Sequence, residues 1–266
     1  MEKILIYTDK NNFSYIRYFL FTYLKINKVY EKYLSKNTFK IPYKKELKPR
    51  YIETLKKFLK KKNIVKLCFF KIEKEELVKE FKTSFSVING RNIYNTNFNN
   101  ILSFLSGEKL HEKEIVFISD NLKEISELSK KCVKKVKAIS VLTEKPYLYE
   151  SLKDEFLEKY GLLINVKTKK EKLKKNNKIY VNCGANRVFP ENTFKNVVLI
   201  DIFKVYEGAY NEIILWAEGN LKKETKQLKT PLNLRLAEFF EDEKEVKNYK
   251  ISDIKKICWQ LRVNNL

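Results

Sequence analysis

From Glu114 onward the chain repeats one pattern: a short apolar run, a polar turn, then an amphipathic helical stretch. The apolar runs fall at 115–119, 138–143, 162–168, 178–183, 197–203 and 212–218. Continuous apolar strands of this kind must be buried on both faces, and intervening helices do the covering. The pattern therefore predicts an α/β protein with a mostly parallel, doubly wound sheet. Helices are expected over Leu122–Val133, after an Asp120-Asn121 cap, and over Tyr147–Tyr160, closed by Gly161. Lys170–Lys175 reads as a short basic helix, and the tail after Thr230-Pro231 as helical and charged.

The first 107 residues form an α/β region of looser pattern. Ile4–Tyr7 reads as a strand, and Asp9–Asn12 as cap and turn for a helix over Phe13–Ser35. Phe13, Ile16, Leu20, Tyr23, Leu24 and Asn27 share one face of that helix at helical spacing. A helix over Tyr51–Lys61, a strand over Ile64–Phe70 and a helix over Glu73–Lys82 follow. An Asn-rich loop over Asn89–Asn100 leads into a helix over Phe98–Leu105. Ser106-Gly107-Glu108 marks the boundary, dividing the chain into 1–107 and a Rossmann-like 108–266 with its helical tail.

Charge narrows function less than its size suggests. Lys and Arg number 55 against 33 Asp and Glu, a formal charge of +22 that attracts phosphates. Only six of the cations are arginine, the residue whose planar fork reads phosphates and bases bidentately. Abundant Lys, Asn, Ile, Phe and Tyr with few Gly and Pro is the mixture an AT-rich coding sequence produces, so lysine reads first as a solvated surface residue. A nucleic-acid role stays open as one alternative. Its sharpest candidates are the lysine-rich run 167–178 and the aromatics Tyr15, Tyr18, Phe19 and Tyr23 beside Arg17 and Lys25. Core packing competes for the same aromatics.

Cys68, Cys132, Cys183 and Cys258 are far apart and His111 is the only histidine, which argues against zinc. The chain enters its first strand directly after Met1, and its richest apolar stretch, Tyr18–Leu24, is short beside the roughly 20 residues of a membrane span. It reads as soluble and cytoplasmic, without a membrane span.

Residues 114–184 resemble half of a Rossmann-type nucleotide-binding domain. Ser119-Asp120-Asn121 stands where that fold has its phosphate-binding turn, and Glu144 where it has a ribose-binding carboxylate. The resemblance implies NAD or NADP as cofactor. The turn lacks the glycines that let backbone amides approach a pyrophosphate, and Asp120 adds a negative charge there. Residues 110–220 are also similar to a group of low-GC bacterial proteins with a variable N-terminal half and a degenerate Rossmann-like C-terminal half. That similarity rests on strand–helix order and implies no catalytic residue.

The stretch Asn182-Cys183-Gly184-Ala185-Asn186-Arg187 follows a strand, where ligands bind in doubly wound sheets. Gly184 permits close backbone approach and Arg187 suits an anion. The plainer reading is a strand-to-loop turn with a buried thiol and a surface arginine, since Cys183 has no partner base in sequence. Asn89-Gly90-Arg91-Asn92 is first a turn signal and second a phosphate loop. Asp9 is a helix cap or a cleft carboxylate. The leading expectation is a binding or regulatory protein for a nucleotide-like or anionic small molecule. The alternatives are a transferase or oxidoreductase using 182–187 with Glu144, and a nucleic-acid-associated protein.

Overall fold

A computed structural model describes residues 2–8, 15–24, 30–33, 36–41, 47–72, 75–107, 109–168, 177–184, 187, 189–194, 197–206, 208–241 and 247–256. Asp9, Ala185, Asn186, most of the 167–178 lysine run and Cys258 lie outside them.

In chain order the elements begin with β1 (Glu2–Thr8), α1 (Tyr15–Leu24), β2 (Tyr30–Tyr33), β3 (Lys36–Ile41), α2 (Pro49–Lys61) and β4 (Ile64–Phe70). Next come α3 (Glu75–Lys82), β5 (Ser86–Val87), α4 (Arg91–Thr96), α5 (Phe98–Ser106), β6 (Glu114–Ile118), α6 (Leu122–Cys132) and β7 (Ala138–Leu142). The chain continues with α7 (Glu150–Tyr160), β8 (Asn165–Lys167), β9 (Lys178–Asn182), β10 (Val198–Ile200) and β11 (Tyr210–Leu215). It closes with α8 (Gly219–Leu228), β12 (Leu232–Asn233), α9 (Leu234–Phe240) and β13 (Ile251–Lys256).

The chain makes two compact units, one from 1–93 with 217–246 and one from 94–216 with 247–266. This replaces the division at 107/108. The helix α5 before Gly107 packs Phe98 against Phe117 of β6, ring centroids 6.0 Å apart, so it belongs with the second sheet. Residues 217–246 return to the first unit.

In the first unit the strand order is β2-β3-β1-β4-β5, parallel except for β2 against β3. Ile4 and Ile6 of β1 and Leu67 and Phe69 of β4 point into one core with Tyr18 and Phe21 of α1, Tyr51 and Phe58 of α2, and Phe81. Full burial of an aromatic or branched side chain is worth about 1.5–3 kcal/mol, so this layer fixes the helices to the sheet. Within the long helix expected over Phe13–Ser35 the described residues form α1 and then the strand β2. Pairing of β2 with β3 (Tyr30 opposite Phe39, Glu31 opposite Thr38), which is itself in register with β1, overrides the local helical pattern. Among the described side chains of α1, Tyr18, Phe21 and Thr22 are buried, whereas Leu20 and Tyr23 of the predicted face are only partly so.

In the second unit the order is β8-β7-β6-β9-β10-β11, all parallel, with β13 antiparallel along β11. This is the strand order 3-2-1-4-5-6 of the doubly wound dinucleotide-binding sheet, and the expected fold class is confirmed. Side chains alternate with period two: Val116, Ile118 and Tyr180 join Phe189, Phe194, Leu199 and Tyr206 in one core layer, while Phe117 meets Phe98 on the opposite face. Two further expectations change. The passage 89–100 contains α4 rather than only loop, begun just after Gly90, and the tail carries the strand β13 beyond α9. Among the described residues no helix is long and apolar enough to cross a membrane.

Candidate functional site

In the second unit the chain leaves β6 toward β7 and β8, then returns on the other side to β9, β10 and β11. The topological reversal lies between β6 and β9. In open α/β sheets, ligands bind beyond the carboxyl ends of the strands at this point. The residues there are Ser119–Asn121 after β6, Thr143 and Glu144 after β7, Cys183, Gly184 and Arg187 after β9, and Asp201 after β10. Among the described residues, the candidates Ser119, Asp120, Asn121, Glu144, Asn182, Gly184 and Arg187 therefore stand at the carboxyl ends of strands of one sheet.

Their roles divide sharply. Ser119 is 4% exposed, and its Oγ accepts from the Asn121 amide at 2.9 Å. Its carbonyl accepts from the Tyr149 hydroxyl at 2.8 Å. Burial, with the nearby Asp120 carboxylate, raises the Tyr149 phenol well above its ordinary value. Asn121 caps α6, its Oδ1 accepting from the Glu124 amide at 3.4 Å. Asp120 does not face an anion site freely. Its Oδ1 accepts from the Thr143 hydroxyl at 2.6 Å and from the Glu144 amide at 3.1 Å, which ties the end of β6 to the end of β7. Glu144 itself is exposed just past β7.

The β9 side is organised by a residue the sequence reading missed. Asp201 is fully buried. Its Oδ1 accepts from Asn182 Nδ2 at 2.8 Å and from the Phe203 amide at 3.1 Å. Its Oδ2 accepts from the Val205 and Tyr206 amides at 2.6 and 2.7 Å. Burial pushes this carboxyl above the ordinary range while the four hydrogen bonds pull it back. Asn182, expected to meet a ligand, spends its amide on Asp201 and on the Gly184 carbonyl, the latter at 2.8 Å. The signal was present: an acid inside the apolar run Val197–Phe203 must be paired to be tolerated.

Arg187 is exposed, and its Nη2 donates to the Val205 carbonyl at 3.0 Å. The guanidinium is thereby turned toward the β10 side, while Glu144 follows β7, with β6 and β9 between those two strands. Cys183 is 1% exposed, and its thiol donates to the Val181 carbonyl. Burial pushes the thiols of Cys68 and Cys132 up to about 12. Cys183 thus packs as the sequence's plainer reading has it. Among the described residues no cluster of three or more His, Cys, Asp or Glu is placed to hold a metal.

The Asn89–Asn92 loop belongs to the first unit and is committed to α9. Asn89 Oδ1 accepts from the Arg91 amide at 2.9 Å, closing the turn. Gly90 adopts φ +85°, and a Cβ there would lie 2.6 Å from Leu234 Cβ. The amides of Gly90 and Asn92 donate to the half-buried Glu238 carboxyl, as does Asn92 Nδ2 at 3.1 Å. This loop is a clasp.

The residues of the β6–α6 turn do not fit a dinucleotide pyrophosphate. No glycine opens the turn, the Asp120 carboxylate is fixed at it, and Glu124, 1% exposed, adds an acid to the first turn of α6. No protein-family model and no curated protein matches the chain. Among solved structures, L-tryptophan dehydrogenase from Nostoc punctiforme aligns over 79% of this chain and 63% of its own length, at 10% identity and a TM-score of 0.34. The chain thus spans less than two thirds of that protein. Shikimate dehydrogenase 1 from Peptoclostridium difficile aligns over 86% and 84%, at 15% identity and a TM-score of 0.28. Shikimate dehydrogenase from Aquifex aeolicus aligns over 86% and 84%, at 13% identity and a TM-score of 0.30. The fold assignment rests on the strand order, not on these alignments.

Proposed function

We propose that the second unit binds a nucleotide-like or other anionic small molecule beyond the ends of β6 and β9, in a binding or regulatory role. The supporting observation is the reversal of strand order between β6 and β9, flanked by the exposed carboxylate of Glu144 and the exposed guanidinium of Arg187. Glu144 follows the strand whose end carries the ribose-binding acid in this architecture. Arg187 offers the cation. The ligand's anionic group lies toward Arg187, because Asp120 and Glu124 oppose a negative charge at the start of α6.

The other reactive groups at this edge are engaged in holding it together. Asp201 is saturated by four N–H donors, the Thr143 and Tyr149 hydroxyls donate to Asp120 and Ser119, and Cys183 is buried. Such an edge favours recognition over bond-making.

A thermal-shift titration at fixed salt with AMP, ADP, NAD, NADP and S-adenosylmethionine tests the reading. A ligand held at 100 times its Kd stabilises the native state by about 2.7 kcal/mol, several degrees in Tm. The expected result is a shift with a mononucleotide that Glu144→Ala and Arg187→Ala both abolish. Silence across the panel at millimolar ligand overturns it, as does a shift that neither substitution changes.

A further inference from the structure

The aromatics of α1 separate into two sets. Tyr18 and Phe21 enter the core, where Tyr18 stacks on Tyr51 with centroids 4.9 Å apart. Phe19 stays 46% exposed and packs its ring 4.8 Å from that of Tyr23. Two cations from the start of α2 complete this outer cluster. Arg50 Cζ lies 5.0 Å from the Tyr23 ring centroid. Lys48 Nζ donates to the Tyr23 hydroxyl at 3.3 Å and lies 6.0 Å from the same centroid.

Fold stability does not call for this cluster. An exposed phenylalanine forgoes its burial energy, and cations at the beginning of a helix oppose the helix dipole. The neighbouring surface keeps the same sign: α2 carries Arg50, Lys57, Lys60 and Lys61 against its single acid Glu53, while its Lys56 is paired with Glu80 of α3 at 2.9 Å.

We infer that Phe19, Tyr23, Lys48 and Arg50 form a platform for single-stranded nucleic acid. Every base has a π-face that stacks on an exposed ring without sequence preference, and each such stack contributes substantially to affinity. Arg50 lies over the Tyr23 ring, and a guanidinium placed there can stack on a base or pair with phosphate. Lys48 and the α2 lysines supply the field that the phosphodiester backbone needs. A duplex fits less well, because its bases are already stacked on one another. The site lies in the first unit and is independent of the small-molecule reading.

Fluorescence anisotropy of a labelled 12-nucleotide oligo(dT) with the full-length protein at ~150 mM salt tests this. Phe19→Ala should weaken binding roughly tenfold and leave the salt slope unchanged. Lys48→Ala with Arg50→Ala should lower the slope of log Kobs against log salt by about 1.4, two phosphates at roughly 0.7 each. Phe19→Leu keeps the apolar bulk but removes the ring, so the same loss there excludes misfolding of the alanine variant. Three results each overturn the inference: no binding at this salt, wild-type affinity in both Phe19 variants, or equal binding of a duplex of the same length.

Discussion

Two carboxylates, one in each unit, do similar work in different settings. Asp201 gathers the amides of Phe203, Val205 and Tyr206 and the side chain of Asn182, all within a short span of chain and wholly out of water. Glu238 gathers the amides of Gly90 and Asn92 and the Asn92 side chain, but from a loop far away in sequence, and it is only partly buried as a residue although its Oε2 is out of water. Both carboxyls are held above the ordinary range by burial. For Glu238, Lys3 and Lys66 pull in the other direction. The contrast teaches what a buried acid is for in each place. Asp201 shapes one loop at the edge where a ligand would sit. Glu238 fastens one part of a unit to another.

If that contrast is right, Asp201→Asn has the largest effect on stability. The new amide would point donors at the Val205 and Tyr206 amides, and leaving two buried N–H groups without an acceptor costs roughly 3 kcal/mol. Chemical denaturation should show this as a lower midpoint with unchanged m-value. A loss under ~1 kcal/mol would mean the loop relaxes and Asp201 is not its organiser.

Gly90→Ala comes next. The left-handed φ and the 2.6 Å approach to Leu234 Cβ together predict a loss of about 2 kcal/mol. The added Cβ would meet Leu234 Cβ and the backbone of Leu234 and Arg235, which alanine keeps, so Leu234→Ala in the same chain should give no rescue, an absence of favourable coupling that a double-mutant cycle reads directly.

Glu238→Gln is the mildest of the three, about 1 kcal/mol, because the amide oxygen keeps the acceptor that Asn92 uses, while Oε2 is buried without a hydrogen-bond partner and has no such bond to lose. Its pH signature is more telling than its size. A carboxyl whose folded value is raised binds more protons folded than unfolded. Its contribution is full below the unfolded carboxylate value, about 4, and is lost as pH rises through the raised folded value. Wild type should therefore lose some stability over that window relative to Glu238→Gln, measured as the difference in Tm between the two proteins. A flat difference would mean the lysines have cancelled the effect of burial.

The fold of the second unit was legible because each of its strands is an uninterrupted apolar run between polar turns, and burial on both faces leaves only one arrangement for such runs. The candidate edge was legible in position but not in function. Ser119 and Asn121 close their own turn, in keeping with the cap expected there, while Asp120 and Asn182 spend their side chains on Thr143, Glu144 and Asp201 in other loops, and pairing of that kind is decided in space. Asp201 announced itself as an acid within Val197–Phe203, and Thr143, the partner of Asp120, did not announce itself at all. The first unit was harder. The expected helix over Phe13–Ser35 ran on through residues that form β2, which is a strand only because it pairs with β3, itself in register with β1. The return of 217–246 to that unit carries no local mark.

That return has a consequence for how the protein is made. Cys68, fully buried on β4, points toward the backbone of Arg235, and Lys3 donates to the carbonyl of Glu241. A ribosome adding 5–20 residues per second takes about 8 to 30 s to travel from residue 93 to 246. Throughout that interval the nascent first sheet lacks Leu236, Ala237 and Phe239, each no more than 1% exposed in the finished fold. The first unit is thus completed only after the strands β6 to β11 of the second have been made, and its unfinished core stays exposed in the meantime.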